Sequence, residues 1–196
     1  KFPGVVALDG VTFEIDKGEV HALVGENGAG KSTLMKILSG LYQPDDGEIT
    51  FHGEEIKHLN PKQVQELGIS TIYQELNLCS NLTVGENIYL GKEPVQTLFN
   101  IVKEEQIAEE SEKYLKMLAS DIDPRRMIDQ LSIAEQQIVE IAKALSYESE
   151  VIIMDEPTSS LTINETEKLL EIVKSLKEQG HSIVYISHRI DEVFKV

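Results

Sequence analysis

The chain is short of cysteine, of positive charge and of long apolar runs. One cysteine, Cys79, among 196 residues excludes an internal disulfide and fits a reducing compartment. Eighteen Lys and Arg stand against 34 Asp and Glu, a net charge of −16. That balance argues against wrapping nucleic acid, whose phosphates need a basic surface, and against direct adhesion to anionic lipid. Docking on a membrane protein is left open. No apolar run approaches the length of a membrane span and no stretch reads as a signal peptide. Repeats, low-complexity segments and a metal-binding Cys/His cluster are missing as well. So is an Asn-Lys-x-Asp motif, and nothing else selects guanine. The length suits one domain, or one core with a small subdomain, and suffices to bury a sizeable core. The chain opens at Lys1 rather than Met and stops soon after an active-looking motif, so it reads as a piece of a longer protein.

What is there begins with Gly25-Glu26-Asn27-Gly28-Ala29-Gly30-Lys31-Ser32-Thr33. This is G-x-x-x-x-G-K-[ST], a phosphate-binding loop. Val20–Val24 before it reads as a buried strand. Leu34, Ile37, Leu38 and Leu41 after it recur at helical spacing, with Gly40 as a stop. Gly28 and Gly30 let main-chain N–H groups approach a triphosphate, and the helix start adds positive potential. Lys31 reaches the β- and γ-phosphates, and the Ser32 hydroxyl can ligate Mg²⁺.

Elsewhere, Val11, Phe13 and Ile15 alternate as a half-buried strand does, and Ile49 and Phe51 alternate after the Pro44-Asp45-Asp46-Gly47 turn. Together they suggest a mostly antiparallel layer beside a nucleotide-binding core. Ile69–Tyr73 is a further strand, ending at Gln74. Thr83 and Glu86, and again Ser132 and Glu135, have capping-box spacing and should start helices. Ile107, Tyr114, Leu115 and Leu118 share one face of a solvated helix from about 104 to 118. Ser132 also opens a helix that could present an anion site. Val151–Met154 is a run buried on both faces, as in a parallel sheet. It ends in Asp155 and Glu156, where open α/β sheets bind ligands. Asp155 is placed to hold Mg²⁺ and Glu156 to orient or deprotonate an attacking water. Residues 164–177 should form a helix, and Ser182–Ile186 a last strand that ends in Ser187-His188. His21, His52, His58 and His181 take the structural default. His188 stands apart because it leaves a core strand at the same sheet end as Asp155.

In this order the segments resemble the ATPase domain of ABC transporters, over essentially the whole chain. Gly25–Thr33 matches Walker A, Gln74 the Q-loop, Leu131–Gln136 the signature, Val151–Glu156 Walker B, Ser159–Thr162 the D-loop and His188 the switch histidine. Phe2-Pro3-Gly4-Val5, Ala7-Leu8, Gly18–Leu23, Val139–Leu145 and Glu156–Ser159 are most similar to the ATPase subunits of bacterial ribose- and galactose-type importers. The resemblance implies an α/β fold of the P-loop NTPase, RecA-like kind. A mainly parallel core would carry an N-terminal antiparallel layer and a helical subdomain inserted at about 77–146. It implies that residues 1–196 form one such domain, the N-terminal one of a tandem polypeptide. It implies ATP and Mg²⁺ as cofactors, with hydrolysis powering monosaccharide import.

Residue by residue, the resemblance makes Phe2 the ring that stacks on adenine. Gln74 senses Mg²⁺ and the attacking water and couples to the membrane part, and His188 contacts the γ-phosphate. Glu156, His188, Gln74 and Lys31 are then the catalytic set, and Ser32, Gln74 and Asp155 the metal set. Ser132, Ala134 and Glu135 would close over ATP held by a partner domain. Implied partners are that second ATPase domain, permease subunits and, indirectly, an extracytoplasmic sugar-binding protein, at the cytoplasmic face of the plasma membrane; nucleic acid is not among them. The sugar is chosen by other subunits.

Two departures matter. The family signature is usually Leu-Ser-Gly-Gly-Gln. Here Ile133, Ala134 and Glu135 replace its last three residues, and Glu135 brings a negative charge toward an anion unless it folds back as a cap. Thr162 stands where the D-loop usually has aspartate. The same ATPase core also drives soluble machines of DNA repair, chromosome structure and translation. Those bear coiled-coil insertions or basic surfaces, and neither occurs between Gln74 and Ser132.

Overall fold

A computed structural model describes residues 1–57, 60–96 and 101–196; His58 lies outside the described residues. The elements in order are β1 (Val20–Val24), α1 (Lys31–Leu38), β2 (Thr50–Phe51), β3 (Glu54–Glu55), α2 (Pro61–Glu66), β4 (Ile69–Ile72), α3 (Val84–Ile88), β5 (Val95–Gln96), β6 (Ile101–Val102), α4 (Glu104–Met117), α5 (Ile133–Leu145), β7 (Val151–Asp155), α6 (Ile163–Glu178), β8 (Ser182–Ser187) and α7 (Ile190–Val193).

Four strands form one parallel sheet in the order β1-β8-β7-β4. Its strands are apolar on both faces because helices cover both. Ile152, Met154, Ile183 and Tyr185 join one core with Ile141, Ala142 and Leu145 of α5 and Leu169, Val173 and Leu176 of α6. The alternate residues Ile153, Val184 and Ile186 form a second core with Met35 of α1. Each such side chain contributes about 1.5–3 kcal/mol by burial. The register fixes where the strands end. Val24 lies opposite Ser187 and Asp155 opposite Ile186, so Gly25, Glu156 and His188 leave the sheet side by side. Ile72 pairs with Met154, which sends Gln74 off the same edge.

Local chemistry starts most of the helices. Asn60/Gln63, Thr83/Glu86, Ser132/Glu135 and Thr162/Glu165 each form a reciprocal capping box. The two boxes expected from the sequence are there, and so are two that were not foreseen. The Glu104–Met117 helix buries Ile107 and Leu115.

Two expectations need correction. Residues 11–15 are not a strand: the alternation half-buries Phe13 and Ile15 but leaves Val11 exposed. Alternating burial needs only one packed face, here a Phe13 ring stacked 5.4 Å from His21 and Ile15 against the second core. The antiparallel layer of the N-terminal part is therefore small, a β2–β3 hairpin in which Thr50 faces Glu55 and Phe51 faces Glu54; β5 and β6 form a second short antiparallel pair. His52 and Gly53 turn it, both at positive φ. Likewise α1 buries Met35, whereas Leu41 lies past Gly40 and is exposed.

Candidate functional site

The loop Gly25–Thr33 joins the end of β1 to the start of α1. Gly28 and Gly30 hold φ of 86° and 93°, where a Cβ would be strained. Gly30 also carries the carbonyl of Ala7 against it: a Cβ there would lie 2.5 Å from that oxygen. The loop bends round the Lys31 ammonium, which donates to the carbonyls of Gly25 at 2.6 Å and Glu26 at 3.1 Å. Helix α1 starts on Gly30 with no side-chain cap and no acid in its first turn. Its leading N–H groups are left to an anion.

Across the sheet edge stand the two acids. Asp155 is half-buried; burial first, then the neighbouring Glu156 carboxylate, pushes its carboxyl above the usual range, while Lys31 and Lys36 pull it back. Glu156 has a φ of 48°, a left-handed backbone that costs a non-glycine residue about 1–2 kcal/mol. The fold holds it there. Its N–H donates to Ile186 O at 2.9 Å, its carbonyl accepts from Ser159 N–H at 3.1 Å, and its carboxylate meets Nδ1 of His188 at 3.1 Å. The carboxylate side chain is 13% exposed and the imidazole 51%, so the pair is open on the histidine side only.

Ser32, Gln74 and Asp155 line one cleft of about 680 Å³ together with Lys36, Tyr73, Glu75, Glu140 and others. The three metal candidates are thus brought together. A hydroxyl, an amide oxygen and a carboxylate are hard oxygen donors, and the raised Asp155 marks an uncompensated negative site; both suit Mg²⁺. Among the described residues no group of three or more His, Cys, Asp or Glu could cage a metal. A cation here would be completed by water and ligand oxygens.

Ser132, Ala134 and Glu135 lie elsewhere, beside a second cleft of about 220 Å³ shared with Leu161 and Glu165. Glu135 does fold back. It accepts from Ser132 N–H at 2.8 Å and from Arg126 Nη1 at 2.9 Å. The Ser132 backbone bond foremost, with Arg126 adding, holds its carboxyl below the usual range. The extra charge is neutralised at the cap, and Ser132 and Ile133 remain exposed. The Phe2 ring packs edge-on to Tyr42 at 5.9 Å, beyond the end of α1.

Sequence reasoning missed several residues. Tyr42 lies in a turn with no periodic signal. Lys36 sits on the cleft wall, five residues after Lys31 on the same helix. Glu192 is 3% exposed and one of its oxygens accepts from Thr158 Oγ1 at 2.7 Å, Tyr185 OH at 2.9 Å and Ser187 Oγ at 3.2 Å. Arg189 holds the other oxygen at 2.9 Å. This knot fixes the segments that follow Glu156 and precede His188. Glu192→Ala leaves three buried hydroxyls without their acceptor. It should cost about 2–4 kcal/mol, read as a lower denaturant midpoint at unchanged slope; a midpoint equal to wild type would contradict it.

Comparison with known proteins places the chain in a family. Residues 8–159 match the family model described as ABC transporter. The chain is 51% identical over 196 residues to a putative ribose/galactose/methyl galactoside import ATP-binding protein of Agrobacterium fabrum, covering all of this chain and 38% of that one. The chain thus spans about two fifths of the length of the curated relatives it matches. The crystal structure of the ADP conformation of MJ1267, an ATP-binding cassette of an ABC transporter, superimposes with a TM-score of 0.85 at 31% identity, over 98% of this chain and 79% of that one. A dimeric post-hydrolysis cassette, MJ0796 bound to ADP and Pi, does so with a TM-score of 0.79 at 28% identity, over 96% and 83%.

Proposed function

The chain belongs to the ABC transporter ATPase family, and from that premise we propose that it binds and hydrolyses ATP to drive import of a monosaccharide. The observation that carries the reading is the shared sheet edge: the loop after β1, the acids after β7 and the histidine after β8 converge there.

The roles follow from position. Main-chain N–H groups of Gly25–Thr33 and the start of α1 cradle the phosphates, and Lys31 turns its ammonium to the β- and γ-oxygens. Phe2, half-exposed on Tyr42, stacks on the adenine. Ser32, Asp155 and Gln74 hold Mg²⁺, which when bound neutralises phosphate charge. Glu156 orients the attacking water and takes its proton, while His188 steadies the Glu156 carboxylate and contacts the γ-phosphate. Water is excluded when a second domain closes over the nucleotide with its own signature segment, as the Ser132 segment here closes over the partner's. The dimeric cassette among the neighbours supports that partner.

The relatives' names support sugar import, and their greater length supports a longer protein, in which this chain is read as the N-terminal unit of a tandem pair with helices α3–α5 as its inserted subdomain. Permease subunits dock it at the cytoplasmic face of the membrane; among the described residues no helix is long and apolar enough to cross one.

The test uses the intact protein with its permease in vesicles. Mg-ATP should bind at one site per cassette in competition with a fluorescent ATP analogue, and should drive uptake of ribose or galactose. Absence of nucleotide binding overturns the ATPase reading. ATP binding with retention on DNA or ribosomes, and none with permease, would leave the ATPase and remove the import role.

A further inference from the structure

Glu140 is an acid where burial should forbid one. It is 7% exposed, on the inner face of α5, and burial pushes its carboxyl above the ordinary range. A carboxylate is kept in such a place only by the partners it finds. Its partner is the main chain of the Gln74 loop: Oε1 accepts from Asn77 N–H at 2.7 Å. One turn further along α5, Lys143 Nζ donates to the carbonyl of the same residue at 3.4 Å. Asn77 in turn donates through Nδ2 to Glu75 O at 3.1 Å. Both polar groups of one peptide residue, three positions after Gln74, are therefore held by side chains of α5, at the wall of the cleft that holds Gln74 and Asp155.

The same helix begins at Ser132. Eight residues of α-helix separate Ser132 from Glu140, about 12 Å of rigid rod. We propose that Glu140 is a positioning residue that ties the Gln74 loop to the signature helix. The placement of Gln74 at this domain's own nucleotide then depends on how α5 sits against the nucleotide of its partner. The proposal rests on the roles given above to Gln74 and Ser132. A hydrogen bond of this length weakens steeply with displacement, so a shift of α5 by an ångström or so moves the loop or releases it. An apolar residue would fill the same space without making that link.

Reach and charge are separated by four variants of the intact protein, each assayed for ATP turnover, ATP affinity and melting temperature. Glu140→Asp keeps the charge but is one methylene too short for Asn77. It should lower kcat about tenfold with KM for ATP within twofold of wild type. Glu140→Gln keeps an oxygen within reach and should restore at least half of the turnover. Gln74→Ala, made in parallel, should be slow, and Gln74→Ala/Glu140→Asp should be no slower than Gln74→Ala alone. Glu140→Asp turning over like wild type beside a slow Gln74→Ala overturns the clamp and spares Gln74. Glu140→Gln as slow as Glu140→Asp, losses that multiply in the double variant, or a parallel loss of ATP affinity also overturn it. Wild-type turnover in Gln74→Ala removes the role of Gln74 itself, a separate failure.

Discussion

Glu156→Gln should lower ATP turnover by roughly 10²- to 10⁴-fold, the usual worth of a positioned general base, while ATP still binds. The amide is nearly isosteric with the carboxylate. It keeps a contact to His188 and leaves intact the backbone bonds, to Ile186 O and from Ser159 N–H, that hold the left-handed turn. What it removes is a proton acceptor. It also removes a negative charge beside Asp155, one of the two causes that hold the Asp155 carboxyl high. Lys31, Ser32 and Asp155 are untouched, so affinity for Mg-ATP should hold. Equilibrium binding of a fluorescent ATP analogue, set beside phosphate release, separates the two effects. Turnover like wild type would take Glu156 out of the mechanism. Lost binding would show that the carboxylate supports the site rather than the chemistry.

Gly30→Ala is the second large effect, and Gly28→Ala is its control. Both glycines have φ near +90°, so either alanine meets backbone strain of about 1–2 kcal/mol. At Gly28 the new methyl group meets nothing within 4 Å. At Gly30 it strikes the Ala7 carbonyl and comes within 3.0 Å of the Leu8 side chain. The obstacle is main chain, so it cannot rotate away; overpacking adds about 1–3 kcal/mol. Gly30→Ala should melt roughly 5–15 °C below wild type, and it should lose ATP affinity by about 10²-fold or more because the loop and the 7–8 segment must part. Gly28→Ala should melt only a few degrees lower. Equal melting points would mean that the Ala7 contact does not decide the need for glycine.

The parts of the fold that could be read from sequence are those whose signals are local. The glycine-rich loop, the Thr83 and Ser132 caps and the apolar runs at 151–154 and 182–186 each declare their own conformation. Because strands that end in acids or histidine must end somewhere on a parallel sheet, their meeting place followed once the sheet was parallel. The Val11–Ile15 segment misled because alternation reports a buried face and not a hydrogen-bonded neighbour. Glu192 and Glu140 were invisible for the opposite reason. A buried carboxylate is written in the sequence like any surface one; only the hydroxyls of Thr158, Tyr185 and Ser187, or the Asn77 N–H, show that it is inside. Glu135 was ambiguous until Arg126, nine positions away, was found to hold it.

Helix α1 differs from every other described helix in what precedes and follows its first residue. The others begin with a side-chain cap or with acids in the opening turn; α1 has neither. Among the described residues, every helix N-terminus but this one is met by the polypeptide's own caps or acids. On a molecule with a net charge of −16, whose long-range field turns anions away, that single undischarged pole is an address. A polyanion that reaches this helix start meets main-chain N–H groups with no partner of their own, so where it settles is set before any side chain closes on it.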